Sequence, residues 1–432
     1  MIKQLTTTRN LNEAYLQVYR NKGAAGVDGV QVTELKNHLH LHSKRHINQI
    51  EKGHYQVSPI LGVEIPKSNG KTRLLGIPTV TDRVFQQALH QVMQPIFEPD
   101  FQEHSYGFRP NRSAHQAVTQ SLKNINSGYQ HIVDIDLKSF FDKVEHYVLL
   151  ELIYKKVKCD KTMKLLRSFL RAPIQINGKL HKRRKGVPQG SPISPLLSNI
   201  LLNELDKELE KRGHRYVRYA DDFSIYVRSK ASAKRVGNSI FKFLRDKLHL
   251  PINREKSGIR RPISFNVLGY GFVPTYKKGE KGKYQLVVKA SKWEDLKAKL
   301  KRLTRKTIPA SLDERMREIK LLIRGWINYF KLASIQQKLK SLDEWLRNRL
   351  RYCIWHDWKK PERKRKNLIR LGIEQGQAYA WSRTRIARPD FFSGGGWRVA
   401  QSPILGTTIT IKRLEMRGYI SLMEYYKQVR HH

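Results

Sequence analysis

RYVRYADDFSIYV (215–227) decides how this chain is read. Two runs of strand-forming residues flank Tyr219-Ala220-Asp221-Asp222, which predicts two strands around a tight turn with paired aspartates on it. Adjacent carboxylates repel within a few ångströms, and a divalent cation would relieve that cost. A second acidic string, VDIDLKSFFD (133–142), begins inside a strand candidate, HIVDI (131–135). Side chains alternate faces along a strand, so Asp134 and Asp136 share a side, and spacing alone does not choose between them. Nucleotidyl transfer needs two hard cations about 3.5–4 Å apart, one at the attacking primer oxygen and one at the triphosphate. Carboxylates from two neighbouring strands can supply such a clamp. The bland alternative is a solvated turn with Asp136 capping a helix, and YADD taken alone does not separate the two.

The rest of the composition favours a polyanionic partner. The chain has 432 residues, enough for two or three domains, with 83 Lys+Arg against 37 Asp+Glu, a net charge of +46 and a pI near 10.3. Such a chain repels itself unless a polyanion offsets the field, so nucleic acid is the natural partner and an anionic membrane surface a weaker rival. Two cysteines, Cys159 and Cys353, stand far apart, which excludes a zinc knuckle, a cysteine-rich nuclease module and a disulfide framework. No apolar stretch approaches the ~18–20 residues of a membrane span. The opening MIKQLTTTRNLNEAY lacks the apolar core of a secretion signal, so a soluble, cytoplasmic protein without a membrane partner is expected.

Coarse periodicity supplies an outline. Residues 1–58 read as two helices around a turn-rich loop, NKGAAGVDG (21–29), with a third ending near Gly53. Ile193, Leu196, Leu197, Ile200, Leu201 and Leu205 recur at spacings of 3 and 4, which predicts a helix over 193–209. The basic loop YKKGEKGKY (276–284) reads as a domain boundary, and three amphipathic helices follow over 291–305, 312–332 and 336–358. Ten Lys/Arg against two Asp/Glu lie between Leu346 and Arg370. A glycine-rich loop, FFSGGGW (391–397), and a strand-like TTITI (407–411) complete the outline.

At this point the chain resembles the group II intron reverse transcriptases. HSYGFRPNRSAHQAV (104–118), VDIDLKSFFDKVEH (133–146), GVPQGSPISPLLSNILLNELDKELEKRG (186–213) and RYADD (218–222) are similar, in order, to that family's sequence blocks. IPKSNGKTRLLGIPTVTDRVFQQAL (65–89) resembles the fingers block, and NREKSGI (253–259) with LGYGF (268–272) the later palm blocks. NKGAAGVDGV (21–30) resembles the N-terminal extension, and GWINYFKL (325–332) the maturase signature.

The resemblance implies an α+β right-hand polymerase. Its N-terminal extension would cover 1–58, its fingers and palm 59–280, its α-helical thumb or maturase domain 281–370, and a small DNA-binding segment 371–432. It implies two Mg2+ ions held by Asp136, Asp221 and Asp222 with the Leu137 carbonyl. The family carries an aromatic residue five positions after the metal-binding aspartate. Phe141 lies five after Asp136 whereas Ser139 lies five after Asp134, so the resemblance selects Asp136 and makes Phe141 the steric gate against a ribose 2′-hydroxyl. Lys67 and Arg73 correspond to triphosphate ligands, Gln189 to a residue under the incoming sugar, and Lys256 to a lysine steadying the pyrophosphate. Where the family commonly has PQGG, this chain has Ser191 after Gly190, which adds bulk near the nucleotide. Arg109 and Arg112, with Arg363, Lys364, Arg365 and Lys366, are expected to contact nucleic acid. The implied partners are intron RNA, an RNA template, a DNA primer or target and dNTPs. The absence of an endonuclease module resembles the bacterial class C lineage. A non-catalytic RNA-binding splicing factor is the rival of another class, and the intact carboxylates argue against it.

Overall fold

The computed structural model describes residues 1–66, 70, 72–276, 280, 282–384 and 399–430. They form two compact units, Met1–Phe265 and Asn266–His432. Among the described residues no helix is long and apolar enough to cross a membrane.

In the first unit the helices Ile2–Leu5 and Thr8–Arg20 precede the 21–29 loop, and Leu35–Lys52 follows it. The last ends at Gly53, whose φ of +76° is the left-handed closure that glycine makes easily. One sheet has the order β2-β1-β4-β5, from β1 (Ile60–Pro66), β2 (Thr72–Ile77), β4 (Ile174–Ile176) and β5 (Lys179–His181). Its β1–β2 hairpin pairs Leu61 with Ile77 and Pro66 with Thr72. The second sheet, the palm, has the order β6-β7-β3-β8, from β3 (His131–Ile135), β6 (Arg215–Tyr219), β7 (Asp222–Val227) and β8 (Gly258–Arg260), all antiparallel.

Apolar side chains of β3 and β7 hold the palm together. Ile132, Val133, Ile135, Phe223, Ile225 and Val227 are buried, each worth roughly 1.5–3 kcal/mol relative to exposure. The helix Lys230–Asp246 packs against β3 and β7, and Ser194–Lys211 packs against β6. Ser194–Lys211 is buried around most of its circumference, through Leu196, Leu197, Ile200, Leu201, Leu202, Leu205 and Leu209. A helix apolar on so many sides sits inside a core rather than on it.

The second unit opens with a three-stranded sheet, β11-β10-β9, from β9 (Asn266–Val267), β10 (Tyr270–Pro274) and β11 (Tyr284–Val288). Pro274 pairs with Tyr284, so the basic 276–284 stretch connects two strands of one hairpin. The expected boundary near 280 is therefore displaced to Phe265/Asn266, because ladder hydrogen bonds tie both flanks of that loop to one unit. The helices Ala290–Leu303, Leu312–Phe330 and Gln336–Asp357 match the three amphipathic segments, and Pro361–Arg370 adds a fourth.

TTITI is no strand. Thr407 and Thr408 end the helix Pro403–Thr408, and Ile411 opens the helix Ile411–Glu415. Thr410 accepts a hydrogen bond from the Arg413 amide as N-cap, and Pro403 begins the preceding helix, so capping overrides β-propensity. Nor do residues 371–432 separate from the helices before them. Asp343 on Gln336–Asp357 accepts hydrogen bonds from Tyr419 Oη (2.6 Å), Ser421 Oγ (2.6 Å) and the Leu422 and Met423 amides (2.8 and 3.0 Å). A buried carboxylate thus caps the final helix, Leu422–Arg430, where its exposed amide hydrogens and dipole favour negative charge. FFSGGGW lies outside the described residues.

Candidate active site

The site begins at the turn between β6 and β7, where Tyr219 pairs with Asp222 and only Ala220 and Asp221 lie between. Ala220 has φ +58°, a conformation that stores strain in a residue with a side chain. Arg218 over-determines it. This guanidinium is fully buried and donates from Nε to Asp206 Oδ1 (2.8 Å) and from Nη2 to Ser105 Oγ (2.6 Å). From Nη1 it donates to Asn199 Oδ1 and to the Ala220 carbonyl, both at 2.9 Å. Asn199 in turn donates to the Gly107 carbonyl at 2.9 Å, and a Cβ on Gly107 would lie 2.3 Å from the Ala220 amide nitrogen. The aspartate-bearing turn is thus clamped by side chains behind it. Arg218 had no assigned role in the sequence reading. The available signal was a cation flanked by Val217 and Tyr219 in the strand that leads into the turn.

Asp134 and Asp136 differ in their partners. Asp134 is ion-paired to Arg260 at 2.7 Å, and β8 brings that partner alongside β3. Among the described residues, Asp136, one residue beyond β3, has as ion-pair partner only Lys256 Nζ at 4.0 Å. Its amide donates to Ser257 Oγ (2.9 Å), its carbonyl accepts from the Asn253 amide (2.8 Å), and Leu137 bridges to Ile252. The NREKS stretch therefore holds the strand end that presents Asp136 and Leu137.

Asp222 reaches solvent at the turn, yet its carboxyl is pushed up to about 6, by partial desolvation first and then by Asp221, Asp136 and Asp134. Asp221 is also raised, chiefly by desolvation with Asp136 adding, while Arg73 opposes the shift. Negative charge is concentrated here, only partly offset by Arg73 and Lys256, in a chain of +46. Among the described residues no three His, Cys, Asp or Glu side chains are already drawn together around one cation position. The donor set still fits magnesium, which is held by one or two carboxylates and takes its other oxygens from water and substrate phosphate.

The first sheet brings Arg73, one of the residues expected to meet the nucleotide, within electrostatic reach of Asp221. Arg73 on β2 donates from Nε to Gln189 Oε1, and its charge acts on Asp221. The Gln189 carbonyl accepts from the Gly76 amide at 2.9 Å. Gly190 has φ +105°, and a Cβ there would lie 2.8 Å from the Gly76 carbonyl oxygen, so no side chain fits. Phe141 joins through its carbonyl, which accepts from the Val187 amide at 2.7 Å. Ser191 does not crowd this group. Its hydroxyl is buried and donates to Gln86 Oε1 at 2.6 Å, toward the helix Val80–Phe97, which corrects the expectation of added bulk at the nucleotide. Lys67 lies outside the described residues.

Residues 65–272 match the family described as Reverse transcriptase (RNA-dependent DNA polymerase), and residues 293–372 the Group II intron, maturase-specific domain. Protein YkfC of Escherichia coli is 35% identical over 60% of this chain and 78% of its own length. The chain belongs to the group II intron-encoded reverse transcriptases. Group II intron-encoded protein LtrA of Lactococcus lactis is 31% identical over 60% of this chain, which spans about half of LtrA (54%). A partial Cas6-RT-Cas1–Cas2 complex is similar over 57% of this chain and 42% of that one, at 22% identity and a TM-score of 0.37. As a member of its family this reverse transcriptase is an RNA-directed DNA polymerase with a group II maturase domain behind it.

Two expected nucleic-acid contacts of the reverse transcriptase have other employment. The Arg109 side chain is buried, paired to Glu98 at 2.8 Å and donating to the carbonyls of Gln102 (2.6 Å), Ser105 (2.9 Å) and Phe101 (3.4 Å), so most of its guanidinium donors are taken within the protein. It fixes the loop before the helix Ala114–Asn126. Arg112 is half-buried over the Tyr106 ring. In the second unit, Arg363 and Lys366 are exposed, whereas Lys364 lies 4.4 Å from the Trp355 ring centroid and Arg365 5.6 Å from that of Tyr379.

Proposed function

We propose that Asp136, Asp221 and Asp222, with the Leu137 carbonyl, hold the two magnesium ions of RNA-templated DNA synthesis. The carrying observation is the convergence of a strand-end carboxylate and a paired-aspartate turn, where Asp136 acts on both Asp221 and Asp222 beside a basic fingers strand. When bound, the ions lower the barrier by activating the primer 3′-oxygen and neutralising charge on the triphosphate. The primer 3′-hydroxyl attacks the α-phosphorus of the dNTP, a phosphodiester bond forms, and pyrophosphate leaves. Arg73, a forked guanidinium on β2, grips the triphosphate once released from Gln189. Lys256 offsets the charge of the departing pyrophosphate, and the Phe141 ring fills the space a 2′-hydroxyl would need. The clamp on Ala220 by Arg218 keeps Asp221 and Asp222 in register before substrate arrives, which is how preorganised groups stabilise developing charge.

The maturase domain and the +46 charge further support binding of a group II intron RNA and assistance to its splicing. Primer extension on poly(rA)/oligo(dT) tests the catalytic assignment. Asp221→Ala is expected to abolish magnesium-dependent cDNA synthesis while RNA retention on filters stays near wild type. Wild-type extension by that variant would sink the assignment.

A further inference from the structure

The palm sheet has a second end. β6 runs from Arg215 to the catalytic turn at Tyr219, β7 returns from Asp222 to Val227, β3 starts at His131, and β8 finishes at Arg260. Arg215 pairs with Tyr226, His131 with Val227, and Ile132 with Arg260. Arg215, Arg228, His131 and Arg261 therefore form a row across β6, β7, β3 and β8 in that order. At ~4.8 Å between strands the row is roughly 14 Å long, and at ~3.4 Å per residue it stands about 14 Å from the catalytic turn.

The cations of this row are held but not neutralised. Arg215 Cζ lies 4.4 Å and Arg228 Cζ 4.9 Å from the centroid of one ring, that of Tyr129. Arg261 contacts His131 Nε2 at 3.0 Å and Gln130 Oε1 at 3.1 Å. His131 is held below its ordinary value, by desolvation first and then by Arg261 and Lys230, which places Lys230 in the same group. Arg215, Arg228, Lys230 and Arg261 are exposed, and among the described residues none forms an ion pair with a carboxylate. Gathering like charges around one phenol ring is unfavourable without a counter-anion. The ring limits their freedom through cation–π contact, so less ordering remains when an anion binds.

We propose that this end of the palm is a second RNA-binding surface, on which backbone phosphates of a folded RNA lie across Arg215, Arg228, Lys230 and Arg261. It is separate from the catalytic end, and it rests on the reading of the chain as an enzyme that holds a structured RNA. Its length is enough to meet several backbone phosphates of one strand. Exposed guanidinium forks match phosphate geometry and can bind it bidentately.

Filter binding of the full chain to a folded group II intron RNA, across roughly 50–200 mM salt, tests it beside primer extension on a short primer–template. Arg215→Gln with Arg228→Gln should weaken intron RNA binding at least roughly ten-fold and lower the slope of log affinity against log salt by about two, with extension unchanged. Lys230→Gln with Arg261→Gln should reproduce the loss of slope, which guards against a folding defect at Tyr129. A wild type that neither extends primers nor binds the RNA would defeat the underlying functional reading. A wild type that binds, with variants of equal affinity and slope, would overturn the surface alone. Displacement of the RNA by duplex DNA of the same length as readily as by RNA would also overturn it.

Discussion

Arg218 and Arg215 lie three residues apart on β6, at the two ends of the palm sheet, and their environments are opposite. The first is fully buried, with Asp206, Asn199, Ser105 and the Ala220 carbonyl as partners; the second is exposed over an aromatic ring and, among the described residues, has no carboxylate ion-paired to it. At the catalytic end the uncompensated charge is negative, and at the far end it is positive. The difference teaches that a charge matched inside the protein shapes the backbone, while a charge left unmatched in a fixed position points to something outside it. Arg109 and Arg363, alike in a composition count, divide the same way.

The sharpest way to break this comparison is to remove the matched charge. Arg218→Met leaves Asp206 buried and unpaired, which should cost about 3–5 kcal/mol in urea unfolding. It also frees the Ala220 carbonyl, so kcat should fall in whatever protein remains folded. Arg215→Gln, an exposed change, should stay within about 0.5 kcal/mol. Equal destabilisation by the two would erase the distinction.

Next in size is the sugar gate. Phe141→Ala removes the ring proposed to exclude the 2′-hydroxyl and should raise ribonucleotide incorporation well above wild type, read from alkali-labile sites in the cDNA. Unchanged discrimination would move the gate away from Phe141. A smaller effect follows from the repulsion at the catalytic end. With EDTA at pH 8, Asp222→Asn removes one of several mutually repelling carboxylates and should melt above wild type. Added magnesium should narrow the gap by stabilising the wild type alone. A variant that melts lower in EDTA would mean that Asp222 is held by attraction.

How much of this was legible beforehand depends on whether the signal was local. The YADD turn, the strand before Asp136 and the helix over 193–209 announce themselves by pattern within a dozen residues. The choice of Asp136 over Asp134 was not visible from alternation; it came from motif spacing, and the structure adds a cause in Arg260, which β8 brings from over a hundred residues away. Ser191, Arg109 and Arg218 escaped for the same reason, since their partners Gln86, Glu98 and Asp206 are defined only after folding. TTITI misled because β-branched residues score as strand while Thr410, the preceding Ser402 and Pro403 carry stronger local instructions to start helices.

The smallest effect lies in the basic helix Pro361–Arg370, where the matched and unmatched charges are sequence neighbours. Arg363 and Lys366 face solvent, whereas Lys364 and Arg365 lie against Trp355 and Tyr379. Reversing the outer pair, Arg363→Glu with Lys366→Glu, should lower the salt slope of RNA binding by about two and leave the melting temperature alone. Neutralising the inner pair, Lys364→Gln with Arg365→Gln, removes two cation–π contacts of about 0.5–1 kcal/mol each. For a unit of this size that is a fall of a few degrees, about 2–4 °C per kcal/mol. The inner pair should change the slope less than the outer, because cations held over rings are less free to meet a phosphate. Had composition alone governed binding, the two double variants would shift the slope in proportion to charge removed, four units against two. A ratio clearly above two is what burial adds, and a ratio of two would return this helix to the status of a uniformly solvated basic face.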